Sequence, residues 1–212
     1  MSAKPDITSH YTKGDLLARL DKALAADGAD PAQPTLEQLA PYDQFHGRGW
    51  EATAELADAL ASEFKVTKDD HLLDVGCGIG GPARYLARRF GCRVTGIDLT
   101  AEFVEAARTL NARLGLDARV RFEQGDALAM PFEKASFAGA YSMNVSMNIA
   151  DKPALYRELR RVLRPGGWLV LSEVAKGPGP AMDYKKRHIV RARLSGGKIL
   201  GGAQNREQNR AG

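Results

Sequence analysis

The sequence predicts an α/β fold in which helices cover both faces of a doubly wound, mostly parallel β-sheet. From Asp70 to Ala175, short apolar runs alternate with helical stretches, a pattern typical of right-handed crossovers between parallel strands. The chain has 212 residues, of which 44% are hydrophobic and 26% charged, as in globular proteins. This composition excludes a wholly disordered, collagenous or disulfide-scaffold protein, and the length predicts one domain with an accessory segment.

The amino-terminal part of the chain predicts helices. Leucine and alanine recur at helical spacing from Leu16 to Leu24, and Gly28 stands where such a helix would end. Thr35 is followed three residues later by Gln38, the pattern of a capping box at the start of a second helix. A third amphipathic stretch runs over 50–64.

Five strands and three helices are predicted after this region. The apolar runs that predict strands are 71–75, 93–99, 120–122, 137–143 and 168–174. The helical stretches between them are 82–90, 101–114 and 152–163. A parallel sheet of this kind binds ligands at the carboxyl ends of its strands, near the point where the strand order reverses.

The last segment, 177–212, differs from the rest in composition. Glycine, proline, glutamine and asparagine are frequent and the apolar pieces are short, so we expect a flexible basic tail, with strands six and seven of the sheet missing. Residues 185–212 hold eight lysines and arginines against one glutamate, a net charge of +7; the whole chain carries +4, which leaves −3 for residues 1–184. Because the basic segment has no aromatic side chain to stack on bases, we expect no nucleic-acid partner.

The segment 71–87 joins an apolar strand, a run of glycines and the start of a helix. Gly76, Gly78 and Gly80 allow a tight turn and the close approach of a ligand, and the helix amino terminus supplies unpaired N–H groups. Taken alone, the pattern also fits a dinucleotide-binding fingerprint or a purely structural turn.

Three acidic residues narrow the choice of ligand. Asp98 ends the second predicted strand, where a carboxylate accepts hydrogen bonds from ribose hydroxyls. Asp74 lies inside the first strand, where a dinucleotide-binding fold usually has an apolar or small residue, and its carboxylate suits a cationic amino group. Asp126 follows the third strand, where it suits an adenine amino group.

The ordered motifs resemble those of the class I S-adenosylmethionine-dependent methyltransferases. They are 74–80, Gly96-Ile97-Asp98, Gly125-Asp126-Ala127, Met130-Pro131-Phe132, Ser136-Phe137 and Leu163 to Gly167. The segments 42–53 and 147–152 resemble the bacterial small-molecule branch, which is similar to methyltransferase type 11. The resemblance covers about residues 35–176 and indicates a chain shortened at its carboxyl terminus. It implies a Rossmann-like sheet of order 3-2-1-4-5, an N-terminal helical lid over 1–64 and a cofactor-binding core over 65–176.

The same resemblance implies roles for individual residues. Those expected at the cofactor are Asp74, Gly76, Cys77, Gly78, Gly80, Asp98, Leu99, Asp126, Ala127 and Gln44. Those expected at the site of methyl transfer are His46, Tyr42 and Asn144. His46 is the candidate base, because an imidazole exchanges protons near neutral pH. We expect no metal site, because His and Cys residues are not clustered in the sequence.

We therefore expect an enzyme that uses S-adenosylmethionine to methylate an N, O or C nucleophile of a small molecule. Two alternatives stay open from the sequence: a chain that binds the cofactor but is catalytically impaired or serves as an interaction subunit, and a nicotinamide-dependent oxidoreductase. The sequence has no recognisable secretion signal and no apolar run of bilayer length, which predicts a cytoplasmic protein without a membrane span. An oligomer is expected if a partner covers the open edge of the fifth strand.

Overall fold

The computed structural model describes residues 14–44, 46 and 48–174, together with the backbone of 187–195 and 198–204. Its helices are α1 (Leu16–Ala26), α2 (Leu36–Asp43), α3 (Gly49–Ala59), α4 (Gly81–Phe90), α5 (Ala101–Arg113) and α6 (Lys152–Val162). Its strands are β1 (His71–Val75), β2 (Arg93–Asp98), β3 (Val120–Gln124), β4 (Phe137–Met143), β5 (Leu163–Val174), β6 (Arg187–Ser195) and β7 (Lys198–Gln204). A π-helical turn (Leu60–Phe64) extends α3, and a 3-10 turn (Ser146–Asn148) follows β4.

One seven-stranded sheet organises the chain, in the order β3-β2-β1-β4-β5-β6-β7. The first five strands are parallel, which confirms the α/β class and the order 3-2-1-4-5. Strand β1 lies between β2 and β4, with Asp74 opposite Gly96 on one side and Tyr141 on the other. The strand order therefore reverses beside β1, and its carboxyl end opens into the crevice where such sheets bind ligands.

The prediction that strands six and seven are missing is wrong. Strand β6 pairs antiparallel with β5 along Trp168–Val174, and β7 pairs antiparallel with β6. The edge of β5 offers backbone hydrogen-bond partners to a neighbouring strand. Because strand formation depends on such partners, the amino-acid composition of β6 and β7 did not decide their structure. The segment is therefore not wholly a flexible tail, although 175–186, 196–197 and 205–212 lie outside the described residues. The open β5 edge, the reason for expecting an oligomer, is occupied by β6.

Two apolar layers enclose the parallel strands. On one face, α6 packs Leu155, Leu159 and Val162 against β1, β4 and β5. On the other face, α3, α4 and α5 pack around Tyr141 and Trp168. Burial on both faces explains why the strands consist of nearly continuous apolar runs.

The amino-terminal helices form a third apolar cluster against α5 and the glycine turn. Its buried members include Leu24, Leu39, Ile79 and Leu110. The capping box predicted at Thr35 is confirmed: its hydroxyl accepts from the Gln38 backbone N–H at 3.1 Å, and the Gln38 side chain accepts from the Thr35 backbone N–H at 2.8 Å. This cluster fixes α2 so that its carboxyl end lies over the start of α4.

Candidate active site

The glycine turn between β1 and α4 leaves no room for side chains. Gly76 and Gly80 adopt φ angles of +74° and +86°, which favour glycine. A Cβ at Gly76 would lie 2.4 Å from the Val145 side chain, and one at Gly80 would lie 2.3 Å from the Phe122 ring. The protein's own side chains therefore fill the space beside Gly76 and Gly80, while the backbone of Gly76 and Gly78 lines the cavity described below.

Asp98 is fixed at the carboxyl end of β2 by backbone donors on both sides. Its Oδ2 accepts from the Gly78 N–H at 2.9 Å, and its Oδ1 accepts from the Thr100 N–H at 3.0 Å. Each carboxylate oxygen keeps a further lone pair for a ligand. The neighbouring Leu99 is 47% exposed, so it offers an apolar surface beside this carboxylate.

Asp126 and Ala127 follow β3 next to the Asp98 position. The Asp126 Oδ1 accepts from the Leu128 N–H at 2.8 Å, and the Gly125 N–H donates to the Asp98 carbonyl at 2.9 Å. Ala127 is partly buried against the core. The structure thus brings the residues predicted at the adenine and the ribose together along the ends of β2 and β3.

A cavity of about 90 Å³ lies beside the glycine turn. Its lining residues are Asp43, His46, Asp74, Gly76, Cys77, Gly78, Pro82, Met143, Asn144 and Val145. It therefore brings two residues predicted at the transfer site, His46 and Asn144, together with the predicted cofactor residue Asp74.

The Asp74 carboxyl is strongly perturbed by its place in this cavity. Burial raises the pKa of Asp74 from 3.8 to about 7, the nearby Tyr141 hydroxyl opposes this rise, and the Asp98 charge adds to it. Asp74 is 2% exposed, and its Oδ2 has no donor within 3.5 Å among the residues that the structure describes, so the Tyr141 hydroxyl acts on it from beyond direct hydrogen-bond distance. A buried carboxyl oxygen without a donor is an acceptor prepared for a ligand.

Cys77 lies within the turn, between Gly76 and Gly78, and its thiol is buried. Burial raises the pKa of the Cys77 thiol well above its usual range, and the nearby carboxylates of Asp74 and Asp98 add to this effect. Its side chain packs so closely on β2 that a Cβ at Gly96 would lie 2.7 Å from the sulfur. The residue therefore shapes the turn by its size.

A chain of hydrogen bonds connects His46 with the end of α2. The Gln44 Nε2 donates to the Asp43 carboxylate at 3.1 Å, which leaves the Gln44 Oε1 to accept from the Thr53 hydroxyl at 2.6 Å. The Thr53 Oγ1 has then used its only proton, so it accepts from the His46 Nε2 at 3.1 Å. The chain fixes a proton on Nε2 of His46, and it places Gln44, predicted at the cofactor, behind His46.

Asp43 and Arg84 form an ion pair whose side chains are both fully buried. The Arg84 Nη2 donates to the Asp43 Oδ2 at 3.0 Å and to the Ile79 carbonyl at 2.7 Å. Burial raises the pKa of Asp43, and the charge and hydrogen bond of Arg84 oppose this rise. The pair joins α2 to the helix that follows the glycine turn.

Sequence reasoning missed this pair and Thr53. The signal for Asp43 is its place seven residues after Leu36, on the apolar stripe that also contains Leu39. The signal for Arg84 is a charge on the buried face of α4. A charge on an apolar face requires a buried partner, but the two residues are 41 positions apart in the sequence, which concealed the pairing.

The structure does not bring Tyr42 to the cavity. Its hydroxyl donates to the Asp27 carboxylate, which raises the pKa of Tyr42, and its ring packs against the amino-terminal cluster. Neighbouring residues on a helix point about 100° apart, so when Asp43 turns toward α4, Tyr42 turns toward α1. The prediction of Tyr42 at the transfer site therefore finds no support in its position.

Within the described ranges, no group of three or more His, Cys, Asp or Glu side chains is placed to hold a metal ion. None of the helices in the described part of the chain combines the length and the apolar character needed to cross a membrane.

Comparison with known proteins finds a methyltransferase domain. The methyltransferase domain family matches residues 73–171, from the middle of β1 into β5. Over this region, slightly less than half of the chain, the protein is similar to the S-adenosylmethionine-dependent methyltransferases. Within this methyltransferase domain, the matched region contains the glycine turn, Asp98, Asp126 and Asn144.

Individual relatives extend the match beyond the domain. The 27-O-demethylrifamycin SV methyltransferase of Amycolatopsis mediterranei is 36% identical over 162 residues, which are 73% of this chain and 59% of that protein. The 24-methylenesterol C-methyltransferase 2 of Oryza sativa is 41% identical over 58% of this chain and 34% of its own. The structure of a geranyl diphosphate methyltransferase in complex with S-adenosylmethionine has 29% sequence identity to this chain and a TM-score of 0.54. The match covers 77% of this chain and 56% of that protein's chain. The chain thus spans less than two thirds of the length of each of these relatives.

The residues of the crevice fit S-adenosylmethionine. The ligand carries a cationic amino group, which suits the buried, unmatched Oδ2 of Asp74, and ribose hydroxyls, which suit the free lone pairs of Asp98. Gly76 and Gly78 line the cavity next to Asp74, and a Cβ at Gly76 would clash with Val145 on the cavity wall. Leu99 presents the apolar surface that an adenine requires.

Proposed function

We propose that this methyltransferase chain binds S-adenosylmethionine along the ends of β1, β2 and β3 and transfers its methyl group to a nucleophilic atom of a small molecule. The observation that carries the proposal is the arrangement at the carboxyl ends of β1 and β2. The Asp74 Oδ2, which has no hydrogen-bond partner, and the Asp98 carboxylate, which the Gly78 N–H fixes, lie on adjacent strands beside the glycine turn. We further propose that the protein works in the cytoplasm and has no nucleic-acid partner.

The chain's own residues bind the two ends of the cofactor. Asp74 receives the amino group, Asp98 accepts from the ribose hydroxyls, and Leu99 packs on the adenine. Asp126 and Ala127 stand at the adenine edge, where Asp126 accepts from the exocyclic amine. These contacts align the cofactor with the cavity beside His46 and Asn144.

Alignment is the main requirement of the reaction. When bound, S-adenosylmethionine supplies an activated methyl group on a sulfonium, which a nucleophile can attack in line without covalent help from the protein. Holding the two reactants in this geometry contributes up to about 7 to 11 kcal/mol. Helix α2 limits water access: a Cβ at Gly81 would lie 2.3 Å from the Asp43 carbonyl, so the amino-terminal helices close over the turn.

The methyl acceptor differs among the relatives. Their names give an oxygen acceptor for the rifamycin enzyme and a carbon acceptor for the sterol enzyme. We therefore propose a small-molecule acceptor, with a hydrophobic surface suited to Met143 and Val145 on the cavity wall.

Calorimetric titration with S-adenosylmethionine and S-adenosylhomocysteine tests the proposal, with NAD as a comparison ligand. We expect both sulfur ligands to bind and Asp98→Ala to weaken them by about 100-fold, because the variant removes the ribose acceptor and the acceptor of the Gly78 N–H. Asp69→Ala, at an acid with an 83% exposed side chain, is the matched control and keeps the affinity. Unchanged affinity in Asp98→Ala would refute the site.

Methyl transfer itself is measured with isotope-labelled cofactor and a panel of small acceptors. Labelled product from the purified chain supports the enzyme. Binding without transfer to any acceptor would favour the interaction-subunit alternative, and tight binding of NAD would favour the oxidoreductase.

A further inference from the structure

Tyr141 carries a hydroxyl into an apolar layer where a phenylalanine would fill the same space. The residue lies within β4, is fully buried, and packs in the cluster that also contains Leu72 and Trp168. Its hydroxyl oxygen makes no hydrogen bond to any residue that the structure describes. Because burial of an unpaired hydroxyl destabilises a fold, packing alone does not explain a tyrosine at this position.

The sheet places one acid beside this hydroxyl. Asp74 of β1 is the direct partner of Tyr141 in the parallel β1–β4 pairing, so both side chains leave the same face of the sheet at the same level. On its other side, Asp74 is opposite Gly96, which has no side chain. The Asp74 Oδ2 is buried without a donor, and the Tyr141 hydroxyl is buried without an acceptor. Each of these neighbours thus lacks the partner that the other can supply.

The other titratable or charged groups around this pair have hydrogen-bond partners of their own. The groups next to the pair or on the adjoining cavity wall are Asp98, Cys77, Cys92, Asp43, Arg84 and His46. The two thiols donate to backbone carbonyls, the Asp98 carboxylate accepts from backbone N–H groups, and Asp43 pairs with Arg84. The His46 ring bonds to the Thr53 hydroxyl. Tyr141 is therefore the donor that the strand pairing places next to Asp74.

The two groups influence each other's ionisation. Burial raises the pKa of Asp74 to about 7, and the Tyr141 hydroxyl opposes this rise. Burial also raises the pKa of Tyr141 well above its usual range, and the charge and hydrogen bond of Asp74 raise it further. At neutral pH the hydroxyl therefore keeps its proton while the carboxyl can lose its own, which is the state in which an O–H donates to a carboxylate.

We propose that the Tyr141 hydroxyl donates a hydrogen bond to the ionised Asp74 carboxylate, and that Tyr141 is thereby the positioning residue for the acid that receives the amino group of the cofactor. The inference rests on the proposed function and deepens it. The two atoms lie beyond direct hydrogen-bond distance in the structure, so the carboxyl turns toward the hydroxyl when it ionises. This turn is favoured because a hydrogen bond to a charged group is roughly twice as strong as a neutral one.

Tyr141 acts from behind Asp74 and does not contact the cofactor. Asp74 lines the cavity, whereas Tyr141 lies in the apolar layer and is not part of the cavity wall. A carboxylate oxygen has two lone pairs, so an Oδ2 that accepts from Tyr141 can also accept from the ligand. The hydroxyl thus stabilises the buried carboxylate and fixes the direction in which it faces the cavity.

Cofactor affinity measured against pH tests the proposal. S-adenosylhomocysteine, which carries the same amino group, is titrated by calorimetry into the wild type and Tyr141→Phe from pH 5.5 to pH 9. Without the donor, the pKa of Asp74 should rise by about one pH unit. Because binding requires the ionised carboxylate, Tyr141→Phe should bind about tenfold more weakly than the wild type near pH 6 and equally well at pH 9. The ionisation of the ligand itself cancels in the ratio of the two affinities.

Two control variants separate this role from packing. Tyr85→Phe makes the same change at a tyrosine that packs against the same cluster but whose hydroxyl faces Arg89, so it should keep the wild-type affinity at every pH. In Asp74→Asn, which cannot ionise, adding Tyr141→Phe should produce no pH-dependent difference. A loss in Tyr141→Phe that is the same at every pH would overturn the proposal, because it would indicate damage to the packing. No loss at any pH, or the same pH-dependent loss in the Asp74→Asn background, would also overturn it.

NMR of the wild type gives a readout that needs neither a variant nor a ligand. In protein labelled with carbon-13 at the tyrosine ζ carbon, we expect the Tyr141 resonance to shift with a midpoint near pH 7, as Asp74 ionises. A Tyr141 resonance that does not respond between pH 5.5 and pH 9 would refute the hydrogen bond.

The outcomes distinguish this inference from the proposed function. A wild type that binds no S-adenosylhomocysteine at any pH would refute the proposed function, and the NMR titration would then decide whether the hydrogen bond itself exists. A wild type that binds, together with a Tyr141→Phe variant of equal affinity at every pH, would refute only the role of Tyr141.

Discussion

Replacing Asp74 by asparagine should stabilise the ligand-free protein and weaken its cofactor binding. The side chain has nearly the same shape in both residues, but only aspartate can ionise. Asp74 is fully buried beneath the glycine turn, and burial raises its pKa to about 7. The ionised Asp74 carboxylate therefore destabilises the free protein, and a cationic group of the ligand would relieve this destabilisation.

The pH dependence follows from this pKa. In the unfolded chain the carboxyl releases its proton near pH 3.8, whereas in the folded chain it releases it near pH 7. Between these values the folded chain holds the extra proton, so the stability contributed by Asp74 is complete below pH 3.8 and is lost as the pH rises through 7. At about 1.4 kcal/mol for each pH unit, the loss amounts to about 4 kcal/mol.

Urea unfolding of the wild type and of Asp74→Asn, measured from pH 4 to pH 8, checks this reasoning. Contributions from all other titrating groups cancel in the difference between the two proteins. We expect the variant to gain up to about 4 kcal/mol on the wild type between pH 4 and pH 8. A difference that stays constant across this range would show that Asp74 does not titrate as its burial implies.

Cofactor affinity gives the complementary result. Binding of a cationic amino group requires the ionised carboxylate, so the wild-type affinity should fall below pH 7, by up to about tenfold for each pH unit. Asp74→Asn should bind weakly and without this pH slope in calorimetric titrations. The same slope in both proteins would assign it to a different group.

Three further predictions concern the surroundings of the site. Arg84→Met leaves the Asp43 carboxylate buried without its partner, so it should lower the free energy of unfolding by about 3 to 5 kcal/mol. Adding Asp43→Leu should recover most of this loss, as measured by urea unfolding at pH 7. No recovery in the double variant would contradict the pairing. Gly76→Ala forces a Cβ against Val145, so calorimetry should show about tenfold weaker cofactor binding, which Val145→Gly partly restores. Burial lowers the pKa of His71 to about 4, with the Arg93 and Arg121 charges contributing. The contribution of neutral His71 to the free energy of unfolding is therefore complete above pH 6.5 and is lost as the pH falls toward 4. In urea unfolding, His71→Asn should reduce the dependence of the free energy of unfolding on pH in this range.

Local patterns were sufficient for most of the fold. The strands predicted over 71–75 and 137–143 have the same bounds in the structure, because a strand buried on both faces is a continuous apolar run. The capping box at Thr35 was equally local. The third amphipathic stretch extends to Phe64 as predicted, but it leaves α-helical geometry after Ala59 and continues as a π-helical turn.

In the candidate site, too, some residue positions were predicted by local sequence motifs and others were decided by the packing of distant elements. The motifs predicted Asp74, Asp98 and Asp126 at the ends of successive strands, and the parallel pairing of the strands brings these ends to one edge of the sheet. Tyr42 was assigned from a motif alone, and the rotation of α2 turns it away from the cavity.

The sequence by itself determined the order of strands and helices, the glycine turn and the acids that surround it, because each depends on residues within one or two elements of each other. Only the tertiary structure decided that β6 covers the β5 edge, that Asp43 pairs with Arg84, and that the Asn144 Oδ1 is buried without a donor. These features depend on which distant segments meet. Whether a side chain or strand finds a partner on a distant segment is not encoded in the periodic pattern of its own element, so it cannot be predicted from that pattern.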